Sequence, residues 1–213
     1  MKKVIVSLVI ISILAACNSN PEGFTINGTL TGEVADSTKV FLTKIGEQRQ
    51  RVNLDTALVK DGKFVFTGIA DSVPVMNFLF VDQLNGYNAV IIENGDIQFT
   101  SHKDSLSGAT VGGTFQNDVF ASYNKKYRGM GERAQSIQRD MQGAKGMNDS
   151  VTFNALQEEY LELSEEAKEF EIGYIKENPN SLIGALLIDK AIQQKELTIV
   201  PGSDYRYSHS NYM

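Results

Sequence analysis

The spacing of apolar residues changes once along this chain, at Gly112-Gly113, and the change sets what each side can fold into. Before these glycines apolar residues alternate with polar ones, the period of a strand with one buried face. After them apolar residues recur every third or fourth position, the period of an amphipathic helix. The two periods follow one another rather than interleave, which predicts an α+β fold, strands first and helices second.

In the first part, Phe24, Ile26 and Leu30 share one parity, with Thr25, Asn27 and Thr29 on the other. Lys39 to Lys44 repeats the pattern. Asp61-Gly62 sits between Ala57-Leu58-Val59-Lys60 and Lys63-Phe64-Val65-Phe66. Both residues tolerate the positive φ angles of a type I′ turn, so a tight hairpin is expected there. Val75 to Val81 reads as a strand buried on both faces. Asn85-Gly86 and Asn94-Gly95 are turn signals on either side of Ala89-Val90-Ile91-Ile92, and Asp96 to Thr100 follows. Seven or eight such strands predict an antiparallel β-sandwich or open barrel over residues 24–113.

In the second part, Phe120, Tyr123, Tyr127, Met130, Ala134, Ile137 and Met141 form one stripe. Phe153, Leu156, Tyr160, Leu163, Ala167, Phe170 and Tyr174 form another. Stripes of this spacing predict an antiparallel helical hairpin, stripe against stripe. The expected break is Gly143 to Gly146, with a helix cap within Asn148-Asp149-Ser150. Gly129 and Gly131 predict a kink in the first helix. Asn178-Pro179-Asn180-Ser181 ends the second, and Ser181 can cap a further short helix, Leu182 to Gln194. Residues 114–200 thus form a helical segment. Residues 201–213 show no period, and disorder is expected.

The N-terminus has the parts of an export signal in order: Met1-Lys2-Lys3, then an apolar run from Val4 to Leu14, then Ala15-Ala16. A membrane-crossing helix needs about 20 apolar residues, so the run is too short to span. Leu14-Ala15-Ala16-Cys17 resembles the lipobox of bacterial lipoproteins. That resemblance implies a signal peptide over residues 1–16, cleavage before Cys17, and lipid on the Cys17 thiol. Two or more acyl chains hold a protein stably to a bilayer. Residues 17–23 are then a lipidated tether without an acidic run, which favours the periplasmic side of the cell envelope over outer-surface display. Cys17 is the only cysteine, so once lipidated it leaves no thiol for a disulfide or for redox work.

Twenty-six acidic against twenty basic residues give a net charge of −6, which argues against a nucleic-acid partner. Ser101-His102-Lys103-Asp104-Ser105 holds the residue types of a catalytic triad, but neighbours in one polar loop do not converge as a triad must. Glu158, Glu162, Glu165 and Glu169 lie near one another on a helix surface. Calcium needs six to eight oxygens from a loop that wraps it, so a solvated face is the expectation. The tyrosines and phenylalanines of the first stripe are expected in a core. Gly112-Gly113 lacks the lysine of a phosphate loop. These residues predict no enzyme, cofactor or metal.

The order of elements, together with Phe24-Thr25-Ile26-Asn27-Gly28, Lys60-Asp61-Gly62-Lys63-Phe64-Val65-Phe66 and Ile92-Glu93-Asn94-Gly95-Asp96-Ile97, resembles the domain of unknown function 4369 of bacterial envelope lipoproteins. The resemblance covers Phe24 to about Leu197. It implies a domain that commonly precedes a thioredoxin-like domain of the thiol-disulfide interchange or peroxiredoxin type, and it supplies no catalytic residues. The expectation is a non-catalytic binding or positioning domain, lipid-anchored through Cys17 and associated with thiol-disulfide redox proteins, whose partner is an envelope protein or small ligand. Two alternatives stand beside it. One is the remnant of an oxidoreductase that has lost its thioredoxin-like domain, and the other is a sandwich that captures a glycan or peptide.

Overall fold

A computed structural model describes residues 23–199; Cys17, the signal segment and the tail expected to be disordered lie outside the described residues. Eight strands are β1 (Phe24–Thr31), β2 (Lys39–Ile45), β3 (Arg51–Leu58), β4 (Lys63–Gly68), β5 (Val75–Val81), β6 (Asn88–Ile92), β7 (Gly95–His102) and β8 (Thr110–Gly112). Three helices follow: α1 (Phe115–Gly146), α2 (Ser150–Glu177) and α3 (Leu182–Ile199). The strands form two four-stranded sheets, ordered β4-β1-β7-β8 and β3-β2-β5-β6. The α+β sandwich and helical hairpin of the sequence reading are both present.

The sandwich is not wholly antiparallel. β1 and β7 run parallel, in register from Phe24 opposite Gly95 to Thr31 opposite His102. Alternation has the same period in either kind of pair, so it could not distinguish them. The Asp61-Gly62 turn forms as expected, with φ of 51° and 70° and paired hydrogen bonds between Lys60 and Lys63 (2.8 and 2.9 Å). Its flanking strands nevertheless part company. Val59, fully buried, is held by Thr38 and Ser37 backbone bonds, and the chain crosses there from one sheet to the other. β4 then pairs with β1 instead of β3.

The core fills the gap between the sheets. Ile26, Leu30, Phe66, Ile97 and Phe99 meet Val40, Leu42, Leu79, Val81 and Val90. Gly28 is glycine for a reason of space. The Phe64 ring, opposite it on β4, occupies the place where a side chain would begin. β5 is buried fully on one face only. Asn77, Leu79 and Val81 point inward, while Met76, Phe78 and Phe80 are half-buried on the outer face, so its expected double burial is only half met.

The helical stripes meet as a seam in which Met130, Ile137 and Leu163 are buried among Ala134, Met141, Leu156 and Ala167. The break falls later than Gly143 to Gly146. A glycine in a helix costs only about 1 kcal/mol, and the space around these two is open, so α1 runs on to Gly146. Asn148 takes the left-handed turn (φ 53°), and the Asp149 carboxylate accepts from the Thr152 amide (3.0 Å) and hydroxyl (2.7 Å) to cap α2. Those bonds lower its pKa. No interruption of α1 marks Gly129 or Gly131. Ser181 caps α3 by accepting from the Gly184 amide (2.9 Å), and α3 extends beyond Gln194 to Ile199. No helix among the described residues is long and apolar enough to cross a membrane.

Candidate functional site

The residues singled out in the sequence are scattered. His102 ends β7, with its imidazole 3.5 Å from Asp104 and half exposed. The Ser101 hydroxyl donates to the carbonyls of His102 and Ser105 instead of facing the ring, so no serine–histidine pair forms. Of the four glutamates singled out on α2 only Glu165 meets a cation among the described residues, and its neighbours Glu159 and Glu166 do so too. Glu159 and Glu166 pair with Arg133 (3.2 and 3.3 Å), Glu166 also with Lys126, and Glu165 with Lys168. Tyr123 stacks on Tyr127 and Phe170, with centroids 5.4 and 5.7 Å apart, and meets Tyr174 edge-on. Burial raises the pKa of both Tyr123 and Tyr174, with the Glu171 carboxylate adding to the effect at Tyr123; Tyr174 is pushed up to about 12. Gly113, in the left-handed region, donates its amide to Asp118 at the start of α1.

Two buried asparagines, neither singled out by the sequence reading, organise the molecule. Asn117 lies in the first turn of α1 against β6, the outermost strand of its sheet. Its Nδ2 donates to the Ile91 carbonyl (2.7 Å) and to Thr114 Oγ1 (2.8 Å), and its Oδ1 accepts from the Ile91 amide (2.9 Å). The side-chain amide thus occupies the place of a neighbouring strand's peptide and closes an open edge. Gln116 beside it ties α1 to the α2–α3 turn through Asn180 and Leu182, and its own amide donates to Glu93. Tyr174 completes the joint, its hydroxyl donating to the Val119 carbonyl (2.7 Å).

Asn77 faces the other way. It points from β5 into the space between the sheets and is 94% buried, and its Oδ1 is enclosed with no hydrogen-bond partner among the described residues. At this end of the sandwich the sheets part and leave a cleft of about 360 Å³. Phe24, Leu42, Leu54 and Ile92 wall the cleft, and Lys44, Asp55 and Asp71 stand at its rim. Two more apolar residues lining it are exposed, Ile69 by 93% and Val75 by 39%. The chain reaches the first sheet here too, where the Gly23 amide donates to Asn94 Oδ1 (3.0 Å).

Residues 24–120 match the family described as Domain of unknown function (DUF4369). This part of the chain is a DUF4369 domain. No curated protein matches the chain. The matched span is shorter than the Phe24 to Leu197 of the sequence resemblance. It takes in both sheets and ends at Phe120, so the DUF4369 domain holds Asn77, its cleft and the Asn117 joint, but little of the helical hairpin.

A second surface of the DUF4369 domain competes for attention. On the outer face of the β3-β2-β5-β6 sheet, Tyr87 packs against Phe78 and Phe80, with centroids 5.6 and 5.2 Å apart, and Arg51 lies 4.4 Å over Phe80. These rings are occupied with one another and with the guanidinium. The cleft holds the group that lacks a partner. The sequence signal for Asn77 was its place as the one polar residue within Val75 to Val81. Asn117 carried no such signal, because a polar residue at a helix start is ordinary.

Proposed function

We propose that this protein is a non-catalytic binding module held to the bacterial cell envelope by lipid on Cys17, with the cleft between its sheets as the binding face. The observation that carries the reading is the lipobox-like Leu14-Ala15-Ala16-Cys17, with only the six residues 18–23 between Cys17 and Phe24, the first residue of β1. Six residues reach at most about 20 Å, so an anchor at Cys17 keeps the cleft end of the domain close to the bilayer. The single cysteine, committed to the anchor, supports a role without dithiol chemistry. The resemblance read from the sequence supports an association with envelope thiol-disulfide proteins.

The test is metabolic labelling with an alkyne palmitate in a bacterial host. Label on the wild-type chain and none on Cys17→Ser is the expected result. Equal label on both, or none on either, contradicts the anchor. Disulfide reduction by the purified mature chain would contradict the non-catalytic role.

A further inference from the structure

An amide oxygen enclosed without a partner is costly, because burial removes its water and returns nothing. Natural interiors tolerate few such groups, and one that borders a cleft invites a group that could satisfy it. At Asn77 the remedy is close by. The Asn77 side chain lines the cleft, and its carboxamide carries an acceptor and a donor side by side. A peptide group presents the complementary pair, as the Asn117 amide shows at Ile91 in this same protein.

We propose that the cleft binds an apolar peptide segment carrying a cationic residue, with the Asn77 amide hydrogen-bonded to one of its peptide groups. The proposal rests on the binding-module reading and names its ligand class. Phe24, Leu42, Leu54 and Ile92 form walls suited to aliphatic side chains, and the volume lies within the range of roughly 300–1,000 Å³ usual for small-ligand sites. Asn77 is the one polar lining residue that is buried, whereas Lys44, Asp55, Thr67 and Asp71 are exposed at the rim, and a sugar would need several polar partners within the cleft. An acyl chain would leave Asn77 unpaired. At the rim, Asp55 and Asp71 outnumber Lys44, and none of the three forms an ion pair among the described residues. That balance favours a ligand of positive charge.

The experiment uses the chain from residue 17 onward with Cys17→Ser, so that its result is independent of lipidation. The probe is a blocked tripeptide of two leucines and a lysine, titrated while the Asn77 side-chain amide and the methyls of Leu42, Leu54 and Ile92 are followed by NMR. Saturable shifts at these groups are expected, with affinity at least tenfold weaker in Asn77→Leu, whose methyl spectrum reports that it is folded. Asp55→Asn with Asp71→Asn should weaken binding further without changing the fold. No saturable shift with millimolar probe, or equal affinity in Asn77→Leu, overturns the proposal. So does a response of the same groups to phosphatidylglycerol vesicles but not to the peptide.

Discussion

Asn117 and Asn77 have the same side chain and are both almost fully buried, one on α1 against the β3-β2-β5-β6 sheet and one within that sheet, yet they live in opposite circumstances. Asn117 uses both amide hydrogens and its oxygen, and it joins the helices to the edge of a sheet. Asn77 has an oxygen with no partner among the described residues and borders open space. The difference teaches where each contributes. A satisfied buried amide specifies how elements dock, whereas an unsatisfied one subtracts from stability.

The largest effect should come from breaking the joint. Asn117→Leu strips the Ile91 amide and carbonyl of their partners, and each orphaned group costs about 1–3 kcal/mol. A loss of about 3 kcal/mol in urea unfolding is expected, and a loss under 1 kcal/mol would show that water replaces the amide freely. Alkaline pH attacks the same joint through Tyr174. Its folded-state pKa, near 12, lies above the unfolded value near 10, so the unfolded chain releases its proton first. Stability is then complete below pH 10 and falls as pH rises towards 12; Tyr123 shifts in the same direction and adds to the fall. Unfolding midpoints measured from pH 9 to 12 check this, and Tyr174→Phe should flatten the decline.

At the cleft the sign reverses. Asn77→Leu removes the orphaned oxygen, and a gain of about 1 kcal/mol is expected in the same unfolding assay. Smallest of all is Arg133→Ala on the exposed face of the hairpin. Its two ion pairs are half solvated, and about 0.5 kcal/mol or less should be lost.

Much of the scaffold was legible because it rests on local chemistry. Asp61-Gly62, Asp149, Ser181 and the two helical stripes each act within a few residues, and each appears where its residue types predict. What escaped depends on distant partners. The parallel pairing of β1 with β7 and the crossing of the chain at Val59 are decided by which strands meet, and alternation is silent on that. The break after α1 moved because Gly143 and Gly146 tolerate a helix, whereas Asn148 adopts the left-handed turn. The candidate site was hardest to read. Asn77 lies within a run read as apolar throughout, and only the parting of the two sheets around it makes it part of a cleft.

Hydrogen exchange of the two side-chain amides tests the contrast most directly, without a substitution. In the unliganded protein the Asn117 carboxamide protons should exchange slowly, at a rate governed by opening of the joint, and those of Asn77, which bond to nothing among the described residues, should exchange clearly faster. Equal protection of both would mean that the Asn77 amide is shut off from the cleft, and the reading of that cleft as an unfilled binding site would fail.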